Sequence, residues 1–372
     1  MRTLLLGALA TALSTSIAAQ SPQTYTREAI VARLADLHRI HTPEGIEAVE
    51  PVEVNGSTQW ISIRGLNKAN PVLLVLHGGP GSAMMGMTWA YQKPWEDFFT
   101  VVNWDQRGVG KSFSAADSGR IGPTLTNEQL LLDGEVIVQH VLKRLGQPKL
   151  FLMGYSWGTV FGPHMITRHP EWYHAWIGMG VSSGGDPEAY LFNRVLQLAR
   201  RASDTVAVRE LEALAPYPGP GPNDITRALA VRKWVRKYDG GWYGKADFDL
   251  FFALPDWGPE YTAENARDLL PSMSWSGRHL VGKGRPQFMR GQPTTFRVPV
   301  LFLMGRYDLH TPYANALEYF QKIQAPRKRF VSFERSSHMI MFEEPGRVLM
   351  TLVNELLPLA PRTAPFAPRE GR

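Results

Sequence analysis

Leu150-Phe151-Leu152-Met153-Gly154-Tyr155-Ser156-Trp157-Gly158-Thr159 is the stretch on which the fold turns. Its first four residues are a continuous apolar run, as in a buried parallel strand. From Thr159 to about His169 the chain reads as a helix. Between them stands G-x-S-x-G, so the strand passes into the helix through a sharp turn with Ser156 at its apex, and the glycines at 154 and 158 leave room for the neighbouring strand and helix. The serine hydroxyl then sits at a helix N-terminus, whose positive dipole end favours a developing oxyanion.

The same alternation extends outward. Gln59–Ile63, Val72–Leu76 and Val101–Trp104 read as strands, and a helix opens at Thr126 with Gln129 in the capping-box position. That helix runs to Leu145 and stops at Gly146, with Pro148 beyond. Trp176–Val181, Val300–Met304 and Phe330–Phe333 are further strands, and a helix from about Glu343 to Leu357 closes the pattern. Near the start, Ile30, Leu34 and Leu37 share one helical face. Strands alternating with helices predict an α/β fold with a mostly parallel sheet. The rhythm breaks from about Ser183 to Gln292, a mostly helix-like stretch with a Pro216–Pro222 hinge and a dense aromatic cluster that includes Trp234, Tyr238, Trp242, Phe248, Phe251 and Tyr261. A helical insertion between two halves of one sheet is the simplest account.

Composition narrows the chemistry. The 372 residues are 44% hydrophobic and 20% charged, which fits a folded globular protein, and they contain no cysteine. Disulfides, zinc–thiolate sites and cysteine nucleophiles are therefore out, leaving serine, histidine, carboxylates or a cofactor. The net charge of +6 carries no basic stripe. Its densest runs, Arg327-Lys328-Arg329 and Lys283-Gly284-Arg285, read as solvated loops, so no nucleic-acid partner is expected. Arg2, the apolar stretch Leu4–Leu13 and the small residues Ser16 and Ala18 have the layout of a secretory signal peptide over residues 1–18, which predicts an exported protein. The competing reading is an apolar N-terminal helix docked on the body. No other stretch approaches the roughly 18 apolar residues of a membrane span.

A serine nucleophile needs a base, and the base an orienting acid. His338 lies in Ser336-Ser337-His338, after the last strand, and Asp308 ends Gly305-Arg306-Tyr307-Asp308, just past the strand before it. The order Ser156, Asp308, His338 is the one expected for an α/β-hydrolase. Asp186 also follows a strand and is the rival acid. His310 shares the loop of Asp308 and reads as poorly placed to reach Ser156. His164, His169 and His174 lack a carboxylate at ligand spacing, so no metal site is read there. His77-Gly78-Gly79-Pro80-Gly81 follows a strand directly, and such a loop lets backbone N–H groups approach a reacting carbonyl. The oxyanion donors are assigned to Gly79 and to Trp157, the residue after the nucleophile. Asp105-Gln106-Arg107-Gly108-Val109-Gly110-Lys111-Ser112 fails as a phosphate loop, because Asp105 stands where the first glycine is required, and reads as a rigid turn.

Together HGGPG at 77–81, DQRGVGKS at 105–112, G-x-SWG at 154–158, GRYD at 305–308 and the SSH loop ending at His338 resemble the proline iminopeptidase family of α/β-hydrolases, a serine aminopeptidase family. The resemblance covers residues 45–182 and 296–357 as the two parts of the catalytic core. It implies that 183–295 form a helical cap over the site; beyond it, the composition of 358–372, rich in Pro and Arg, reads as a loose tail. The resemblance also implies an enzyme that needs no cofactor and releases an N-terminal residue, often proline, from a short peptide or similar small substrate. Family members hold the substrate amine with cap glutamates, one in a W-x-x-W-E-type stretch. Here Trp234-Val235-Arg236-Lys237-Tyr238-Asp239 is one residue longer, with Asp239 in place of the glutamate. Asp239 is thus the candidate amine anchor, with Trp234 and Tyr238 beside it, and a surface loop is the other reading. Tyr155 replaces the glycine common before the nucleophile.

Overall fold

The structure, a computed structural model, describes residues 25–182, 187–219, 225–244, 249–281 and 291–360. The leader at 1–18, Asp186, Phe248, the Lys283–Arg285 run and the end of the tail lie outside the described residues.

Eight strands form one sheet: β1 (Ile46–Val54), β2 (Ser57–Gly65), β3 (Val72–Leu76), β4 (Thr100–Asp105), β5 (Leu150–Tyr155), β6 (Tyr173–Met179), β7 (Val300–Gly305) and β8 (Lys328–Phe333). Their spatial order is β1-β2-β4-β3-β5-β6-β7-β8. β1 and β2 pair antiparallel, as do β2 and β4, while all pairs from β4 to β8 run parallel. The apolar runs become the central strands: β3, β4, β5 and β7 are buried at every residue. Helices Asn127–Leu145 and Gly158–Arg168 connect the strands on either side of Ser156. The first has Thr126 as its N-cap, its side chain accepting from Gln129 N–H, and ends on Gly146 at φ 63°.

Between β6 and β7 the described chain contributes helices Pro187–Arg201, Thr205–Glu212, Ile225–Lys237, Asp249–Ala253 and Ala263–Val281, and no strand. The aromatic cluster does not form a single core there. Trp234 packs among the insertion's own apolar residues, Trp242 and Phe251 join a core cluster beneath the sheet, and Tyr261 packs with Val109 and Met85.

Two expectations change. The helix Arg27–Leu37 forms, but none of its residues is buried and Leu37 is 72% exposed, so its apolar face is not a core face. The run Arg327–Arg329 is not a loop. Lys328 and Arg329 belong to β8, at the edge of the sheet. Arg327 and Arg329 pair with Glu355, and Lys328 Nζ donates to the carbonyl of Ile323 at 2.8 Å. Cationic side chains on an edge strand discourage edge-to-edge association.

Candidate active site

Ser156 stands between β5 and the helix Gly158–Arg168 at φ 51°, a left-handed conformation rare for a side-chain-bearing residue. Its N–H donates to Met179 O at 2.9 Å and its carbonyl accepts from Thr159 N–H at 2.9 Å, which holds the turn from both sides. The flanking glycines are required by close approach: a Cβ on Gly158 would lie 2.2 Å from Leu76 O, and one on Gly154 would lie 2.5 Å from Gly158 O.

His338 and Asp308 meet from two separate loops. His338 Nδ1 lies 2.7 Å from Asp308 Oδ2, both side chains being buried. Thr311 completes the carboxylate's shell, its N–H donating to Oδ1 and its hydroxyl to Oδ2, each at 2.8 Å. Because the imidazole's bonds to this group use Nδ1, Nε2 is left for chemistry. Tyr155, next to the nucleophile, lays its ring 5.0 Å from the His338 ring and donates its hydroxyl to His338 O at 3.2 Å. His310 also stacks on the His338 ring, at 5.1 Å. Burial, then the neighbouring His338, drives the basicity of His310 well below that of a free imidazole, so His310 is a neutral wall.

The glycine loop is anchored by its own histidine. His77 Nε2 accepts from Gln106 N–H at 3.3 Å, so Nδ1 carries the proton and donates to Gly78 O at 2.8 Å. Burial lowers the His77 pKa to about 4, which keeps that tautomer neutral. Gly79 is at φ 122°, with Gly81 N and Ser82 N where a Cβ would sit. Gly78 passes so close to the elbow that its Cβ would lie 3.2 Å from Ser156 Cβ. The turn after β4 is rigid through ions rather than phosphates: Arg107 donates twice to buried Asp133, at 2.6 and 2.9 Å. Asp105 accepts from Tyr261 at 2.6 Å and from Lys111 N–H at 2.9 Å, and burial still raises its pKa to about 6.

The three candidates from the insertion are engaged differently. The Trp234 indole is buried and donates to Glu210 at 3.2 Å. The Tyr238 hydroxyl donates to Asp204 at 2.9 Å. Asp239, at φ 58°, lines a groove of about 820 Å³ with Tyr238, Arg194, Tyr307 and Asp308, on the side of the acid loop. Burial raises its pKa. Among the described residues, no cluster of His, Asp and Glu has the arrangement of a metal site, and no helix is long and apolar enough to cross a membrane.

Sequence reasoning did not find Thr311, the stacking of His310, or Glu343, whose carboxylate accepts from Ser337 N–H at 3.0 Å beside the catalytic candidate. The first two were within three residues of Asp308; nothing local marks Glu343.

Residues 71–345 match the α/β-hydrolase fold family. The chain belongs to that family. It is 30% identical over 315 residues to a probable aminopeptidase, YbaC, of Bacillus subtilis (strain 168), a match covering 83% of this chain and 96% of the relative. It is 22% identical over 303 residues to the proline iminopeptidase of Heyndrickxia coagulans, covering 77% and 90%. Among solved structures, a proline iminopeptidase-related protein from Thermus thermophilus superposes with a TM-score of 0.59 at 19% identity, over 85% of this chain and all of that one. The protein is thus a proline iminopeptidase-like α/β-hydrolase.

Proposed function

We propose that this protein is an exported serine aminopeptidase that releases N-terminal proline, or another small residue, from peptides through an acyl-enzyme. The observation that carries the mechanism is the buried His338–Asp308 pair at 2.7 Å, with Ser156 on its strained elbow. Ser156 Oγ attacks the carbonyl of the first residue while His338 Nε2 takes the hydroxyl proton. Asp308 holds the imidazole by Nδ1 and offsets its positive charge. The oxyanion is received by the backbone N–H groups of Trp157 and Gly79. Collapse breaks the amide bond, and the leaving amine collects the proton from His338. Water then repeats the sequence on the ester and frees Ser156. The specificity reading is supported by relatives named as aminopeptidases and proline iminopeptidases. Residues 183–295 act as the cap over this site, and the apolar leader over 1–18 supports export.

A second reading, esterase or lactonase on the same triad, is favoured by one observation: Trp234 and Tyr238 spend their polar atoms inside the insertion, and Asp239 lies in a groove beside the acid loop. A fluorophosphonate probe is expected to label the protein and to miss Ser156→Ala; labelling that survives the substitution removes the serine mechanism. Prolyl-naphthylamide is expected to turn over faster than a p-nitrophenyl ester, relative to their uncatalysed rates. Brisk esterase activity with no turnover of the free-amine substrate leaves the second reading standing.

A further inference from the structure

Three segments far apart in sequence converge behind His338. The insertion supplies the turn 239–243, β7 leads into the acid loop 305–311, and β8 leads into the loop 334–339 that carries His338 and on into the short helix Ile340–Glu343. The last two are zipped together, Tyr307 N–H donating to Ser336 O at 3.0 Å and Ser337 Oγ to Tyr307 O at 3.1 Å. The turn from the insertion is then laid across both. Leu309 N–H donates to Gly240 O at 3.1 Å, and His338's own N–H donates to Gly241 O at 3.2 Å. Gly240 has to be glycine there, since a Cβ would lie 2.7 Å from Leu309 Cβ.

The Glu343 side chain closes this junction. Its carboxylate accepts from Ser337 N–H, the residue before the base, and from Tyr243 N–H of the insertion. Trp242, between these contacts, is buried and packs against Phe342, the neighbour of Glu343. One carboxylate therefore grips the backbone of the His338 loop and the backbone of the insertion together. We propose that Glu343 is a positioning residue that couples the seating of the cap to the placement of His338. The inference rests on the serine-hydrolase reading above but not on which substrate is cleaved.

The chemistry of the joint fits that task. Ionised, the carboxylate takes both N–H groups as charge-assisted bonds, which are about twice as strong as neutral ones. Burial raises the Glu343 pKa to about 7, the two backbone donors opposing that rise. The ionisable groups facing it are Asp308 on the acid loop, His338 on its own loop and Tyr155 on β5. The first raises the pKa of Glu343 and the second lowers it. Neighbouring Glu344 is turned elsewhere, accepting from Ser336 Oγ at 2.8 Å and pairing with Arg347.

The test is the inactivation of the full chain by a fluorophosphonate, which reports on Ser156 activation whatever the natural substrate. Glu343→Gln keeps the size of the side chain but turns an N–H₂ toward one backbone donor. It is expected to slow the maximal inactivation rate roughly 10- to 100-fold, the range a misplacement of about 1 Å produces, while the probe's half-saturating concentration stays within about threefold. The Glu343 contribution should drop out of its pH–rate profile, leaving the ionisation of the base alone. Tyr243→Pro deletes the cap-side donor together with a ring that lies 4.7 Å from that of Tyr307, so it is read against Tyr243→Ala, which loses the ring and keeps the donor; with Glu343→Gln added, the Pro variant should be no slower than the Ala variant. Additive losses, or a Glu343→Gln rate and pH profile matching the parent, overturn the proposal. If Tyr243→Pro does not fold, the pH profile of Glu343→Gln decides by itself. A Ser156→Ala protein that is still labelled signals failure of the serine reading instead, so the two failures are distinguishable.

Discussion

Asp308 Oδ2 accepts from Thr311 Oγ1 and faces His338 Nδ1, while Oδ1 accepts from Thr311 N–H. An asparagine at 308 that keeps the Thr311 N–H bond must present its N–H₂ to Nδ1. The imidazole then adopts the other tautomer, with a proton on the nitrogen that has to receive one. Asp308→Asn is therefore expected to lower kcat by roughly 10⁴-fold, the loss known for triad acids, with little change in thermal stability. The discriminating comparison is Asp186→Asn, the rival acid of the sequence reading. If that change costs the large factor and Asp308→Asn does not, the acid is assigned wrongly. At this scale the sequence was most readable where chemistry is written into local backbone. HGGPG and G-x-S-x-G name their turns through glycines, and a left-handed Ser156 follows from the strand-to-helix passage. The Thr311 and His310 contacts were not readable, because nothing in a lone Thr or His specifies which buried neighbour it will meet.

At the scale of elements, the tight turn at Ser156 exists because the helix Gly158–Arg168 can approach β3 and β5 closely. At Gly158 the gap is set by backbone, since a Cβ would collide with Leu76 O at 2.2 Å, and at Gly162 by the Trp176 ring of β6, which would lie 2.0 Å away. No rotamer relieves a clash with a central strand's carbonyl. Gly158→Ala is accordingly expected to destabilise the fold by about 3 kcal/mol or more, at or beyond the usual overpacking range, and to lower activity by displacing Ser156. Urea unfolding and probe labelling measure the two effects, and a variant of parental stability would contradict the close approach. The central strands were legible because a parallel strand covered on both faces must be apolar throughout. β1 was not: Glu47, Pro51 and Glu53 occupy its exposed face and Glu50 breaks the apolar series on the other, and Pro51 is tolerated because this is an edge strand with one free side. The aromatic cluster was legible as buried but not as divided. Its members reach three different cores, and sequence proximity within a helical insertion does not say which face each will find.

Over the whole molecule, the insertion is joined to the far side of the sheet as well as to the His338 loop. Glu260 reaches from the insertion into a site with Arg64 of β2 and Glu96 nearby. Arg64 is already committed, donating to Glu96 at 2.9 Å and pairing with Glu47 at 3.1 Å. Glu260 is 9% exposed and its Oε2 has no hydrogen-bond partner among the described residues, so desolvation dominates and raises its pKa from 4.5 to about 7. The folded protein therefore keeps a proton that the unfolded chain releases above its own carboxylate pKa. Stability from this group is highest below about pH 4.5, falls as pH rises through the window up to about 7, and is level above it. Glu260→Gln removes the titration and keeps the shape. Its stability relative to the parent should be close to zero at about pH 4 and rise to a gain on the order of 3 kcal/mol at pH 8, from the linkage of about 1.4 kcal/mol per pKa unit. Urea unfolding at the two pH values measures it. Equal differences at both would mean that Glu260 is ionised through this range, with Arg64 rather than desolvation setting its charge. A gain at pH 8 would instead show that this junction between insertion and sheet carries an uncompensated carboxylate, one whose removal tightens the insertion's second anchor without touching the first.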